Sequence, residues 1–251
     1  MVLTDDNYAS IVSAIEEGRV IYSNIRKFVY YLISCNIGEI LIIFLAMLFG
    51  WPLPLRPVQL LMLILVTDGA PALALGMEKG DPDIMKLPPR PRKERLMSNA
   101  TLRRVVFIGA IESIFAMGGF LYVLLSHGWS WGDASWMNPA SPHYAIYKEA
   151  LMMTQAAIVA GQFANGFACR TERESVFKVG LLTNRFLLVG QAVAIAIICI
   201  ISYVPFAQNI FKTGPLTLAD WGFLVVTAVV LFFAEELRKW FLRRKTAPQG
   251  G

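Results

Sequence analysis

The sequence is short of charged residues. They make up 16% of the 251 residues, whereas hydrophobic residues make up 56%, and an average globular domain has about 25% charged residues. So few charges could not cover the surface of a water-soluble domain with this much apolar material, and disordered chains are polar rather than apolar. The composition therefore excludes an ordinary soluble domain and an unfolded chain.

Cysteine is scarce, and several familiar motifs are absent. Cys35, Cys169 and Cys199 have no close cysteine partner in the sequence, so we expect neither a disulfide framework nor a zinc site. No glycine-rich phosphate loop of the Walker type is present. No signal peptide is visible, because Asp5 and Asp6 have the wrong charge for its start and the first apolar run begins too late.

Long apolar runs are what the sequence has instead. The hydrocarbon core of a bilayer is about 30 Å thick, and a helix needs roughly 20 apolar residues to cross it. Six runs qualify, which we call spans one to six. We therefore predict an all-α membrane protein with six transmembrane helices. The runs are 28–49, 58–76, 105–126, 150–168, 186–207 and 216–234.

Basic residues lie almost entirely on one side of these spans. Of the 23 lysines and arginines, only three lie on the side opposite the termini, namely Arg56, Lys148 and Lys212. The positive-inside rule then places both termini in the cytoplasm, as an integral multi-pass protein. We expect the basic residues 238–245, beside the membrane, to contact anionic lipid headgroups, and residues 241–251 to form a basic cytosolic tail. Because the charge is spread between apolar spans, we expect a lipid bilayer and no nucleic acid as partner.

The amino-terminal residues are amphipathic rather than uniformly apolar. Residues 4–7, Thr-Asp-Asp-Asn, are typical of a helix start with carboxylates at its positive end. Hydrophobic residues then recur at helical spacing as far as Ile25. We expect a stalk helix that continues into span one. Its apolar stripe has no obvious partner within the chain, so we also expect a soluble domain to precede it.

Two acidic residues inside the spans are candidate cation ligands, since an ionised carboxylate in a bilayer needs a partner or a function. In span one, Asn36 and Glu39 are three residues apart and share a helix face. In span two, Asp68 follows Thr67 and precedes Pro71, which disfavours a regular helix. We expect an interrupted helix at Asp68 whose oxygens bind a hard cation such as Ca²⁺. The alternative is that both acids are structural and hydrogen-bonded across helices.

The other polar residues of the spans have weaker patterns. Glu112 lies about two turns into span three, and we expect it to pair with Arg104 at the membrane boundary. Span four has a polar face that could either join helices or supply ligands. This face consists of Thr154, Gln155, Gln162 and Asn165.

Two loops have a distinctive composition. The loop 126–147 carries aromatic residues that we expect to anchor the chain at the membrane boundary, namely Trp129, Trp131, Trp136, Tyr144 and Tyr147. The loop after span two has four prolines, which favour a stiff, extended segment suited to docking on another domain; an ordinary polar linker is the alternative. These prolines are Pro82, Pro88, Pro89 and Pro91.

Four stretches taken together resemble the type II P-type cation ATPases. Residues 1–7 (MVLTDDN) and 14–19 (AIEEGR) are similar to the end of the phosphorylation domain and the stalk. Two stretches resemble the fifth and sixth transmembrane helices of the sarco/endoplasmic reticulum calcium pumps, namely residues 32–39 (LISCNIGE) and 65–76 (LVTDGAPALALG). The cytosolic loop that follows the sixth helix in those pumps is similar to residues 81–90 (DPDIMKLPPR). The resemblance implies that the spans are helices five to ten. It divides the chain into phosphorylation-domain end and stalk (1–27), ion-site helix pair (28–76), cytosolic loop (77–104), four-helix membrane domain (105–240) and basic tail (241–251).

The resemblance also implies a cation site. One calcium ion of the family's pumps is held by positions that match Asn36, Glu39, Thr67 and Asp68, and by a carboxylate on helix eight that is Gln162 here. The second site departs from the pattern, because its helix-six asparagine is Ile64 in this chain and its helix-four glutamate has no counterpart. The metal ligands we expect are therefore those five residues around a single ion. Ca²⁺ is the leading cargo, followed by Mn²⁺, Na⁺ or K⁺.

We expect ATP to be hydrolysed by domains outside this chain. The family's Asp-Lys-Thr-Gly, Thr-Gly-Glu-Ser and Thr-Gly-Asp motifs do not occur in the sequence, so we expect no catalytic residue and no ATP hydrolysis by this chain alone. Mg-ATP would act through pump domains that precede it. We expect the membrane part of a cation pump, with calcium as cargo, in a bacterial plasma membrane. The alternative is a stand-alone membrane protein, whether a channel, a secondary transporter or a pump regulator.

Overall fold

The computed structural model describes residues 8–80, 84–86, 88–89, 96–171 and 174–246. Within these ranges all regular structure is helical and no strand occurs, which confirms the all-α prediction. The helix start that we expect at residues 4–7, as well as Pro82 and Pro91, lies outside the described residues.

Helix α1, Tyr8–Phe49, unites the stalk and span one. It has 42 residues and is therefore about 63 Å long, twice the thickness of the hydrocarbon core. Gly18 does not break it, which agrees with the prediction of a stalk that runs on into the membrane.

The stalk makes polar contacts with the loop that follows span two. Arg19 Nη1 donates a hydrogen bond of 2.8 Å to the carbonyl of Ile84, which lies in a short 3₁₀ turn, Ile84–Lys86. Asn24 Nδ2 donates to the carbonyl of Glu78 at 2.6 Å. The loop after span two thus folds back onto the stalk through its described part.

Span two is a helix with an irregular middle. It consists of α2, Pro57–Met62, a π-helical turn, Leu63–Asp68, and α3, Gly69–Gly76. We expected the helix to be interrupted at Asp68, and this is wrong, because the chain stays helical there. The irregularity is a wider π turn and not a stretch of open backbone. An opened backbone would leave polar groups without partners in an apolar environment, whereas a π turn keeps most of its hydrogen bonds.

Four longer helices follow, with two short ones between them. Span five is divided, because the chain leaves the helix at Val204 and Pro205 begins a new one at the N-terminal position that proline favours. Span six continues well past residue 234. The helices are α4, Asn99–Ser126, α5, Tyr144–Ala168, α6, Val176–Val179, α7, Arg185–Tyr203, α8, Pro205–Phe211, and α9, Leu218–Thr246.

Five helical segments in the described part of the chain are long and apolar enough to cross a membrane, namely α1, the α2–α3 segment, α4, α7 and α9. The fourth predicted span, α5, has 25 residues but is too polar to qualify by hydropathy. Most of its residues are buried among the other helices. Because α5 contacts protein instead of lipid, it tolerates polar side chains such as Gln155 and Gln162.

Glycines bring α1 and α4 into close contact next to the candidate site. A Cβ atom on Gly109 of α4 would lie 3.0 Å from the backbone nitrogen of Gly38 and 3.0 Å from the carbonyl oxygen of Ser34, both in α1. A side chain on Gly109 would press against the backbone of α1, so the glycine at this position allows the two backbones to approach. Helix α4 also packs on α5, and α5 packs on α9.

The aromatic residues of the loop 126–147 do not all lie at the surface. Trp129, Trp136 and Tyr147 are buried in the apolar core, and the Tyr147 hydroxyl donates to the carbonyl of Leu53 at 2.7 Å. The prediction that they anchor the chain at the membrane boundary is wrong for these three, since the loop folds over the end of the bundle. Trp131 is exposed and agrees with the prediction.

Candidate cation site

Helix α1 presents one of its two predicted ligands to the interior of the bundle. Glu39 is 3% exposed, and its Oε1 has no hydrogen-bond partner among the described residues. Asn36 is only half-buried, and its Nδ2 donates to the carbonyl of Leu32 in the same helix at 2.7 Å. The amide of Asn36 is thus held by its own helix, with its carbonyl oxygen left to act as a ligand.

The π turn ends at the most buried of the predicted ligands. Asp68 is fully buried, and neither of its carboxylate oxygens has a hydrogen-bond partner in the ranges that the structure describes. The thiol of Cys35 lies beside it without meeting the geometry of a hydrogen bond. Thr67 is also buried, and its hydroxyl donates to the carbonyl of Leu63 at 2.9 Å. Pro71 has no N–H to give to the Thr67 carbonyl four residues earlier, as a regular helix would require.

Helix α5 supplies the remaining predicted ligand. Gln162 is 1% exposed, and for the described part of the chain neither atom of its amide has a partner. Seven residues earlier, Gln155 Oε1 accepts a bond of 3.1 Å from Gln59 of α2, so this face of α5 is turned toward span two. Seven residues are close to two helical turns, and Gln162 therefore lies on the same face, further along span two.

A third acid occupies the centre of the bundle where we predicted a boundary ion pair. Glu112 of α4 is fully buried, and both of its carboxylate oxygens lack a partner within the described residues. Arg104 instead binds Glu235 of α9, with 2.8 Å between Nη2 and Oε1. The predicted Glu112–Arg104 pair is wrong because eight residues of helix separate the two by about 12 Å, while α9 brings another carboxylate to Arg104.

Four of these buried side chains have polar atoms without a hydrogen-bond partner among the described residues, and we call them the unpaired cluster: Glu39, Asp68, Glu112 and Gln162. Asp68 acts electrostatically on Glu39, and both of them act on Glu112. Yet no three His, Cys, Asp or Glu side chains of the described residues are grouped closely enough to hold a metal ion. A cation site here would therefore need neutral oxygens from amide, hydroxyl or backbone groups as well as the acids.

Sequence reasoning missed Glu112 as a member of this group. The signal was present, because an acid two turns inside a span is a candidate for function by the same argument that selected Glu39 and Asp68. Assigning it to Arg104 assumed that the nearest base in the sequence is also the nearest base in the fold.

Other buried charges, at the helix ends beside the basic loops, are paired within the protein; we call them the paired layer. It consists of Glu78, Arg104, Arg170, Glu235, Glu236 and Lys239. Arg170 binds Glu78 through two hydrogen bonds of 3.0 and 2.8 Å, and Asn184 Nδ2 donates to the same carboxylate at 2.7 Å. Glu78 is therefore held by residues from two other parts of the chain.

The paired layer includes part of the predicted basic tail. Lys239 is fully buried, and its Nζ donates to Glu236 and to Thr171, each at 2.9 Å. Arg238 binds Glu235, with 2.6 Å between Nη2 and Oε1. The prediction that this segment contacts lipid headgroups is wrong for Lys239, because α9 carries it into the protein, whereas Arg238 stays partly exposed.

Comparison with known proteins identifies the family of the chain. Residues 52–241 match the model of the family described as "Cation transporting ATPase, C-terminus". The chain belongs to this family. The resemblance found in the sequence is thereby confirmed.

Individual relatives extend the similarity over almost the whole chain. It is 39% identical to calcium-transporting ATPase 1 of Bacillus cereus, over 95% of this chain and 27% of that protein. It is 34% identical to a probable calcium-transporting ATPase of Trypanosoma brucei brucei, over 99% of this chain and 27% of the relative. An endoplasmic reticulum-type calcium-transporting ATPase of Arabidopsis thaliana is 32% identical, again over 27% of its length. The chain thus spans about a quarter of the curated relatives it matches.

Proposed function

We propose that this chain is the cation-binding membrane part of an ATP-driven pump and that Ca²⁺ is the cargo. The observation that carries the proposal is the fully buried Asp68, whose carboxylate has no partner in the described part of the chain. Burying a carboxylate without compensation is costly, and a cation that arrives from outside the protein would compensate it. The names of the relatives, which are calcium-transporting ATPases, favour Ca²⁺.

The proposed ligands fit a hard cation. Ca²⁺ takes six to eight oxygen ligands and prefers carboxylates, carbonyls and hydroxyls. Asp68 and Glu39 would supply the negative charge, while Thr67, Gln162 and the Asn36 carbonyl would supply neutral oxygens. Because Gln162 is neutral, the charge of the ligand set matches one divalent cation, and we propose a single ion per transport cycle.

The long α1 helix offers a mechanical connection to that site. It is continuous from Tyr8 to Glu39, so a displacement of the stalk would move Glu39 directly. The turn Ile84–Lys86 contacts the same stalk through Arg19 and gives it a second point of attachment. We propose that both termini are cytoplasmic, that ATP acts through domains of the complete protein outside this chain, and that the protein resides in a bacterial plasma membrane.

The variant Asp68→Asn tests the proposal. Removing one charged partner from a desolvated interaction costs at least about 2 kcal/mol, or roughly a 30-fold loss of affinity. We therefore expect Ca²⁺ binding to the complete protein in lipid nanodiscs to weaken by at least that factor, and Ca²⁺-stimulated ATP hydrolysis to fall with it. Titration calorimetry and a phosphate-release assay measure the two effects.

The matched control is Glu174→Gln, which removes one negative charge from an exposed position outside the spans and should leave both measurements unchanged. Wild-type Ca²⁺ affinity in Asp68→Asn would contradict the proposed site. Ca²⁺ flux into vesicles without ATP would favour a channel instead.

A further inference from the structure

We propose that Glu112 is a third acidic residue of the cation site and that its negative charge sets the preference of the site for cations of higher charge. This inference rests on the proposed function, because it needs the cation to lie at Glu39 and Asp68. Glu112 is not one of the positions at which the resemblance to calcium pumps implies a ligand.

Three glycines place the Glu112 carboxylate beside the proposed site. A Cβ atom on Gly38 would lie 3.2 Å from both Cδ and Oε2 of Glu112, and one on Gly161 would lie 3.0 Å from its Cγ. Gly109, one turn earlier in α4, allows α1 to approach. The Glu112 side chain thus fills the space between α1 and α5, against the backbone that immediately precedes Glu39.

A structural role would require hydrogen bonds that this side chain does not make. Glu78 shows what a structural carboxylate looks like in this protein, since both of its oxygens accept hydrogen bonds from Arg170. Glu112 is more deeply buried than Glu78, but in the described ranges its oxygens have no hydrogen-bond partner. An acid that packs on glycines without a partner is suited to interact with a charge that is present only part of the time.

In this proposal Glu112 attracts the bound cation electrostatically and does not coordinate it. The described acids do not converge tightly enough to surround an ion together, whereas Asp68 and Glu39 are within electrostatic range of Glu112. By Coulomb's law the attraction between Glu112 and a bound cation is proportional to the cation's charge. Removing Glu112 should therefore weaken the binding of a trivalent cation more than that of a divalent one, with losses in log affinity in the ratio of three to two.

Glu112→Gln tests this ratio, since it removes the charge and keeps the shape. The complete protein in nanodiscs is titrated with Ca²⁺ by calorimetry and with Tb³⁺ by luminescence. We expect affinity to fall at least about tenfold for Ca²⁺ and about thirtyfold for Tb³⁺. Glu112→Asp keeps the charge and should stay within about threefold of wild type for both ions. Glu112→Met also removes the charge at similar volume but introduces no amide. It should give the same ratio of losses even if the amide introduced by Glu112→Gln disturbs folding.

Two results separate this proposal from the proposed function. If Asp68→Asn loses Ca²⁺ binding while Glu112→Gln and Glu112→Met bind both ions as the wild type does, the role of Glu112 is refuted and the site stands. Equal fold losses for Ca²⁺ and Tb³⁺ also refute it, because a purely structural defect does not depend on the charge of the ion. Unchanged binding in Asp68→Asn refutes the site itself.

Discussion

The unpaired cluster and the paired layer both contain buried carboxylates, but only those of the paired layer have basic partners. In the paired layer, Glu78 receives two hydrogen bonds from Arg170, and Glu235 binds Arg104. In the unpaired cluster, Asp68 and Glu112 have no hydrogen-bond partner among the described residues. The difference separates carboxylates that hold helices together from carboxylates that are available to a ligand.

The two regions also differ in what they connect. The Arg170–Glu78 pair joins residues 92 positions apart in sequence and fixes the end of α3 to the end of α5. The side chains of the unpaired cluster come from α1, the π turn, α4 and α5, and their unpaired atoms make no hydrogen bond between these elements within the described residues.

The largest effect that tests this comparison is expected in the paired layer. Arg170→Leu leaves Glu78 buried without its main partner, and breaking a buried pair in this way costs about 3–5 kcal/mol. We expect this loss in the free energy of unfolding, measured by chemical denaturation in detergent. Adding Glu78→Leu should recover much of it, because the orphaned charge is then gone. A loss below about 1 kcal/mol in Arg170→Leu would remove the distinction between the two regions.

A smaller effect of opposite sign is expected in the unpaired cluster. Glu39→Met replaces an acid that has an unpaired, buried oxygen with an apolar side chain of similar size, and relieving an unsatisfied polar group is worth about 1–3 kcal/mol. We expect the variant to be more stable than the wild type in the presence of a chelator.

The same variant should lose its response to Ca²⁺. A ligand at 100 times its Kd stabilises a folded protein by about 2.7 kcal/mol, and we expect this increment in the wild type and not in Glu39→Met. Unfolding curves with and without Ca²⁺ measure both effects. Destabilisation of Glu39→Met in the chelator would mean that Glu39 is structural.

The spans could be predicted from the sequence because the length of an apolar run is a local property. The runs 28–49 and 58–76 end where α1 and α3 end, and the continuity of stalk and span follows from the absence of a proline. The form of the irregularity at Asp68 could not be predicted, because Pro71 disfavours a regular helix without deciding between an opened segment and a π turn. The surroundings decide it, since an apolar environment penalises open backbone.

Contacts between distant residues account for the other errors. Whether Arg104 meets Glu112 or Glu235 depends on where α9 packs, and no local pattern contains that information. The same holds for Trp129, which is buried because its loop folds over the bundle. The acids at 39 and 68 could be selected because a charge inside a span is unusual in itself, but their ligand roles remain predictions.

The smallest effect is expected for an ion pair that is exposed. Lys178 Nζ contacts Glu174 Oε2 at 2.9 Å, with side chains that are 72% and 56% exposed. The hydrogen bond that Glu174 accepts from Lys178 lowers the pKa of Glu174 below its ordinary value. The ion pair therefore stabilises the folded state at pH values above the ordinary pKa of the carboxyl group. This contribution is lost as the pH falls through the lowered pKa of the folded state. Exposed pairs of this spacing are worth about 0.3–0.5 kcal/mol.

Glu174→Gln should therefore reduce the free energy of unfolding by no more than about 0.5 kcal/mol at neutral pH, and the difference from wild type should vanish in acid, where Glu174 is protonated. Denaturation curves at several pH values measure it. The paired layer and this exposed pair have similar distances, 2.8 Å for Arg170–Glu78 and 2.9 Å for Lys178–Glu174, so geometry alone cannot distinguish them. If Glu174→Gln were as costly as Arg170→Leu, burial would not be what gives the paired layer its strength, and the argument that unpaired buried acids require a ligand would weaken with it.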